Sequence, residues 1–474
     1  SLIHRNGQGD PVRRGWDYTL SAGGNIMHMT DARTTSAEGW EYDYDRRDRL
    51  THAMRRNAAG APIFRMVYTY DAADNMTSQT RYNYTSRVYD NFDDGDYTSN
   101  PAWTVESGTW SAASNELRPT PQTGARAIYT ANSHANSDAW FSFKLTATGG
   151  GWFDGWMVQL RYVDENNYLA VGFTFGHLYL LERVNGVDTY ITTRVMPLTL
   201  NVWYDIYAQL DGDAVVLYWG KRGDVPLRTA QTTTMPASTN RLRVRVNGQL
   251  AWAFDDFRIM SRSLSPASPY IFTYGPANQL ASMTTAGVTS NFSYDAWGRM
   301  VERSAAIGGQ TYTATYTYWW GDKLKRVDSD FPGQTAVLEY YYDGLGKRRV
   351  RYKPGEDPVY WRWDAGYSVL GEYDYGGAAW TLGDMTRFFV PFGHTALAET
   401  DMDVSGNPAN AAYTYLAHDH LGSGRFGYNQ SKTQVSAHEH YPTGWRYSAS
   451  GPAPYHEFTG KPWDPDTQLF YFPF

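Results

Sequence analysis

Aromatic and polar residues alternate in short runs along most of this chain, and the runs come in pairs. Tyr42-Asp43-Tyr44-Asp45 leads to Arg49-Leu50, and Tyr68-Thr69-Tyr70-Asp71 leads to Asn75-Met76. The pattern returns at Phe272-Thr273-Tyr274 with Gln279-Leu280 and at Phe292-Ser293-Tyr294-Asp295 with Arg299-Met300. Two more copies are Tyr316-Thr317-Tyr318 with Lys323-Leu324, and Tyr340-Tyr341-Tyr342-Asp343 with Lys347. A degenerate first copy reads Tyr18-Thr19-Leu20 with Asn25-Ile26. The second position of each run falls at 20, 44, 70, 274, 294, 318 and 342, in steps of 24, 26, 204, 20, 24 and 24. A spacing that recurs on this scale marks a repeat architecture.

Residues two apart on a strand share a face, so each aromatic pair lines one side of a sheet. The Asp after it starts a turn, because its carboxylate accepts from backbone amides just downstream. Gly24, Gly298 and Gly346 follow where a left-handed residue is needed. A long polar residue and an aliphatic one then open the returning strand. Each copy therefore predicts a β-hairpin, and hairpins laid side by side make one continuous sheet.

The 204-residue step leaves room for a whole inserted domain. Tyr89-Asp90-Asn91-Phe92-Asp93-Asp94 opens it, Ala253-Phe254-Asp255-Asp256-Phe257-Arg258-Ile259 closes it, and Ser261 to Pro269 reads as the linker back. Between them lie alternating runs such as 140–145, 168–173, 202–207 and 242–246, with Asn247-Gly248 as a hairpin-type turn. No amphipathic helix is visible. The expected organisation is all-β: hairpins over 1–88, a jelly-roll β-sandwich over 89–262, hairpins again over 263–412, and a distinct closing segment over 413–474.

Composition narrows the function classes. The net charge of −7 has no concentrated run of one sign, which argues against nucleic acid. There is no Cys, so disulfides and thiolate metal sites are excluded. No apolar run approaches the ~18 residues of a membrane span, and the first residues do not read as a signal peptide. The chain opens in mid-pattern, as a fragment or processed product would.

The insert resembles the concanavalin-like, laminin-G-like superfamily of lectins and glucanases. The resemblance rests on Asp93-Asp94-Gly95, Trp103-Thr104-Val105, Gly108-Thr109-Trp110, Asn167-Tyr168, Asn201-Val202-Trp203-Tyr204 and Phe254-Asp255-Asp256-Phe257. It implies a concave face that binds carbohydrate and a structural Ca²⁺, with Asp93, Asp94, Asp255 and Asp256 as its oxygen ligands. Trp152, Phe153, Trp156, Tyr162 and Trp219 are the candidate sugar-stacking rings, although sandwiches bury much of their aromatic content. The paired-carboxylate strand motif of the glucanase members (Glu-x-Asp-x-Glu or Glu-x-Asp-x-x-Glu) is absent, so binding is expected rather than hydrolysis.

The closing segment carries His418-Asp419-His420-Leu421-Gly422-Ser423, Tyr441-Pro442-Thr443-Gly444 and Phe458-Thr459-Gly460-Lys461-Pro462-Trp463-Asp464-Pro465 in fixed order. With the Tyr-x-Tyr-Asp runs through Tyr42, Tyr44, Asp45, Tyr68, Tyr70, Asp71, Tyr274, Tyr294, Asp295, Tyr318, Tyr342 and Asp343, this resembles the RHS-repeat-associated core of RHS/YD-repeat proteins. That resemblance implies a β-sheet wound into a spiral shell, which in bacterial polymorphic toxins encloses a C-terminal toxin. The chain ends before the expected Asp-Pro-x-Gly cleavage motif. Four histidines, His418, His420, His438 and His440, are spaced for metal, but the first pair belongs to the family signature and reads as structural.

The expectation is a non-enzymatic, secreted or cell-surface β-scaffold that needs no cofactor and whose sandwich contacts glycans or subunits. The alternatives are a toxin shell without its payload, a glycan-cleaving sandwich, and a filament or tube subunit that assembles through open sheet edges.

Overall fold

The computed structural model describes residues 2–5, 12–31, 38–58, 62–99, 101–112, 114–122, 125–130, 137–147, 154–222, 227–236, 241–265, 268–334, 337–366, 368–374, 385–392, 395–402 and 411–471. The protein is all-β: among these residues there are 39 strands, one 3-10 turn at Phe458–Gly460 and no α-helix. It divides into two units. One holds Ser1–Ala61, Met66–Arg81 and Pro266–Phe474, and the other holds Pro62–Arg65 and Tyr82–Ser265.

The first unit is a succession of antiparallel hairpins. In all seven Tyr-x-Tyr copies the turn is closed by the same backbone bond, as from Asp45 N–H to the Arg49 carbonyl (2.9 Å) and from Asp295 N–H to the Arg299 carbonyl (2.9 Å). The Asp carboxylate then caps the turn. Asp295 Oδ1 accepts from Trp297 N (2.9 Å) and Arg299 N (3.0 Å), and Asp343 Oδ1 accepts from Leu345 N (3.0 Å) and Lys347 N (2.9 Å). In six copies the fourth turn residue takes positive φ, 81° at Gly298 and 76° at Gly346, which glycine adopts without strain, and in the copy opening at Trp319 the third does, Gly321 at 79°. This is a type I turn closed by a left-handed residue, with a one-residue bulge beside the second aromatic.

The second aromatic also ties each hairpin to the one before. The Tyr44 hydroxyl donates to the Ile26 carbonyl (3.0 Å), Tyr70 to Leu50 (2.7 Å), Tyr294 to Leu280 (3.0 Å) and Tyr318 to Met300 (2.7 Å). Tyr274 donates to Met76 (3.0 Å), and Tyr270 and Ile271 pair with Gln79 and Ser78. The sheet is therefore continuous across the 204-residue step. The same closing backbone bond recurs from Asp364 to Ser368, Asp419 to Ser423, Asn429 to Thr433 and Tyr441 to Trp445. The closing segment thus continues the array, and its last residues lie across it. Asp464 accepts from the Tyr340 hydroxyl (2.8 Å), and the Tyr471 hydroxyl accepts from Arg348 N (3.0 Å).

The second unit is a sandwich of two antiparallel sheets. One orders Val187–Val195, His177–Val184, Asn167–Thr174, Gly155–Asp164, Arg241–Asn247, Ala125–Thr130 and Trp103–Ser107. The other runs from Leu227–Thr232 through Ala214–Lys221, Tyr204–Asp211, Ser137–Ala147 and Ala251–Leu264 to residues 82–90. Alternate residues of both face a shared core that includes Phe141, Phe143, Val158, Leu169, Val171, Phe173, Val244, Trp252, Phe254 and Phe257.

Candidate functional site

The site builds from the residues that alternate with the core positions of the seven-stranded sheet. Val158 and Leu160, Leu169 and Val171, Leu178 and Leu180, and Val244 and Val246 all point inward. Their neighbours line the opposite face in three cross-strand rows. The first row is Arg243, Gln159, Ala170, Leu181 and Tyr190. The second is Arg245, Met157, Gly172 and Tyr179, and the third is Tyr162, Tyr168, Arg183 and Asp188.

This outer face has a small-residue floor with tyrosines packed onto it. Tyr168, Ala170, Tyr179 and Leu181 form a buried cluster of their own, with Met157 and Tyr162 against it. Gly172 is required there: a Cβ at that position would lie 2.2 Å from the Tyr179 ring. Tyr179 meets Tyr190 edge to face at 5.4 Å, and Tyr190 is 60% exposed at the rim. Burial pushes the Tyr168 and Tyr179 hydroxyls above the usual phenol range, so both stay protonated and able to donate.

Polar groups are set into this apolar face. Arg243 donates to Gln159 Oε1 (2.9 Å), Glu106 Oε2 (2.7 Å) and Glu165 Oε1 (2.6 Å), and its guanidinium lies 4.9 Å from the Tyr162 ring centre. Arg183 donates to Asp188 at 3.1 Å. Gln159 is fully enclosed, and its Nε2 has no partner among the described residues. The part of this face open to solvent is Asp188 and Tyr190 at the rim, with Met157, Tyr162, Arg183 and Arg245 half-buried, and rings beside guanidinium groups suit a ligand that is apolar on its C–H faces and rich in hydroxyls.

Of the five rings that the sequence singles out, Tyr162 belongs to this face. Trp156 and Trp219 are a correction: they are 1% and 3% exposed in the sandwich core, where their rings meet core side chains rather than solvent. Trp152 and Phe153 lie outside the described residues. The acidic candidates do not fit a Ca²⁺ site. Asp256 is held by Arg222 (2.9 Å) and Arg258 (3.1 Å), so guanidinium groups already supply the positive charge. Burial, with the Asp256 carboxylate beside it, pushes Asp255 up to about 7. Asp93 and Asp94 are exposed turn carboxylates, and Asp94 accepts from Asp96 N at 2.9 Å. Among the described residues no group of three or more His, Asp or Glu is arranged to hold a metal ion.

The histidines of the closing segment are packing residues. His420 stacks edge-on against Tyr18 at 5.0 Å, and His438 Nε2 lies 3.0 Å from the Pro452 carbonyl. Burial drives His456 down to about 3, so it is neutral. Asp419 caps a turn, accepting from Leu421 N (2.9 Å) and Ser423 N (3.0 Å), and Gly422 takes the left-handed position with φ 80°. Leu421 is exposed and Gly460 is buried, while Asp464, just before Pro465, is ion-paired with Arg351 at 3.6 Å.

No family model matches the chain, and no curated protein matches it. Solved structures do match. A carbohydrate-binding module, CBM66 from Bacillus subtilis, is 15% identical over 34% of this chain and 94% of its own, with a TM-score of 0.29. The Lotus tetragonolobus seed lectin is 12% identical over 38% and 99%, with a TM-score of 0.31. The Bacillus licheniformis β-glucanase is 11% identical over 38% and 98%, with a TM-score of 0.29. TM-scores of this size carry no argument about what this protein binds.

The resemblance to RHS/YD-repeat proteins is overturned. The matching structures are jelly-roll and galectin-like folds with no RHS/YD-repeat protein among them. The spiral shell and the enclosed toxin that it implied are not supported. The recurrence that suggested the family has a local cause: Asp followed by a left-handed residue is what a tight hairpin turn of this type demands in any antiparallel sheet.

Proposed function

We propose that the chain is a non-enzymatic carbohydrate-binding protein, with the outer face of the seven-stranded sheet as its binding surface. The sandwich, delimited as 89–262, is then the binding domain, and the hairpins of 1–88 and 263–474 are scaffold. A glycan ligand places its action at a cell surface or in secreted material. The observation that carries the reading is the set of rows through Gln159, Ala170, Gly172, Tyr179 and Tyr190. There tyrosine rings packed on a floor of small residues share one face, with Tyr190 exposed at its rim.

A glycan array probed with the full chain and with Tyr190→Ala tests the reading. Tyr190 is exposed, so its loss leaves the fold intact. Binding by the full chain that falls about tenfold or more in the variant is the expected result. A chain that binds no glycan, or a variant that binds as well as the parent, contradicts it.

A further inference from the structure

We infer that this face takes acidic saccharides, and that Arg245 is the residue that reads the acid group. The inference rests on the carbohydrate reading above and names the class of ligand within it.

Three arginines stand on or beside the tyrosine rows, and two are already neutralised. Arg243 is held by Glu106 and Glu165, and Arg183 by Asp188. Arg245 is different. It sits in the second row, opposite Met157 on one side and Ala127 on the other, where neither neighbour offers a polar side chain. Its side chain is 33% exposed, and its one ion pair among the described residues is with Glu165 Oε2 at 3.7 Å. The other oxygen of that carboxylate is taken by Arg243 at 2.6 Å. No hydrogen bond to the Arg245 guanidinium occurs among the described residues.

A guanidinium carries five N–H donors in a planar fork that matches two oxygens of one anionic group. A fork left with a single long ion pair on this face is suited to a saccharide bearing such a group. The carboxylate of a uronic acid and a sulfate ester both present the required oxygens. Arg245 therefore sets specificity, and the tyrosines supply contact area that acidic and neutral sugars share.

Isothermal titration of the full chain tests this with three probes: tetragalacturonate, its carboxyl-reduced neutral counterpart, and that neutral tetrasaccharide carrying sulfate esters. At least one anionic probe should bind about tenfold or more tighter than the neutral one, and which does so identifies the source of the oxygens. Arg245→Ala should abolish the preference, and Arg245→Lys should retain part of it, since a point charge attracts without the fork. Equal binding of neutral and anionic probes overturns the inference while leaving the carbohydrate reading in place, as does a preference that survives Arg245→Ala. Failure of all three probes to bind, with an array that is also blank, overturns both.

Discussion

The Tyr274 hydroxyl donates to the carbonyl of Met76, 3.0 Å away, although 198 residues separate them in sequence. The same bond joins neighbours only 14 to 20 residues apart elsewhere in the array, as from Tyr294 to Leu280 and from Tyr70 to Leu50. One local rule therefore continues through the long step as if it were absent.

Because the latch is a single hydrogen bond, Tyr274→Phe should cost about 1 kcal/mol, and Tyr294→Phe and Tyr318→Phe similar amounts. Urea unfolding of each variant measures this. Equal losses at all three positions are expected, and a neutral Tyr274→Phe would mean that the bond across the step is not made.

The fourth turn position offers a sharper contrast. It is Gly298 at φ 81°, but Asp48, Asp74 and Asn278 hold the same place at 59°, 68° and 60°. Gly298→Asn should then change stability by only a few tenths of a kcal/mol, whereas Gly298→Val should cost roughly 1–2 kcal/mol because its Cβ is penalised in the left-handed region. Thermal melts of the two variants side by side give the comparison.

Core and surface aromatics of the sandwich should separate cleanly. Trp156→Ala removes a ring that packs on Phe143 at 4.4 Å and Phe141 at 5.5 Å, and should cost roughly 3–5 kcal/mol. Tyr190→Ala should shift stability by no more than ~0.5 kcal/mol while weakening glycan binding. A stable Trp156→Ala would contradict the placement of that strand.

Acid–base linkage in the sandwich has a definite sign. Burial raises Asp255 to about 7 and Asp90 to about 6, both above the ~3.9 of an unfolded chain. Their contribution to stability is therefore fully present below about pH 4 and is lost as pH rises through about 6–7. Asp255→Asn cannot ionise, so its urea midpoint should fall less between pH 5 and pH 8 than that of the parent. Identical pH dependence in the two would rule out Asp255 as a source.

Much of the array is legible in the sequence because its determinants are local. The Tyr-x-Tyr pair, the capping Asp and the left-handed residue lie within eight positions, as in Tyr42 to Arg49. The turn at Asp364 follows Trp361-Arg362-Trp363, the same aromatic pair and Asp with Trp in place of Tyr, whereas those at Asn429 and Tyr441 lack the Asp and are revealed by their backbone bonds. The sandwich site is harder to see. In Tyr168-Leu169-Ala170-Val171-Gly172-Phe173 both alternating sets are apolar or small, so the sequence cannot say which faces the core. Pairing with Gly155–Asp164 and His177–Val184 decides it, and that information is not local. Asp255 and Asp256 resemble metal ligands in sequence for the same reason, since the Arg222 that engages Asp256 is 34 residues away.

Hydrogen–deuterium exchange of the full chain, with and without a saturating oligosaccharide selected from the array, tests the central claim most directly. Added protection should fall in Gly155–Asp164, Asn167–Thr174, His177–Val184 and Val187–Val195, the strands that carry the tyrosine rows. Protection confined to the opposite sheet, around Tyr204–Asp211 and Ala214–Lys221, or to the hairpin array, would contradict the assignment of the binding face.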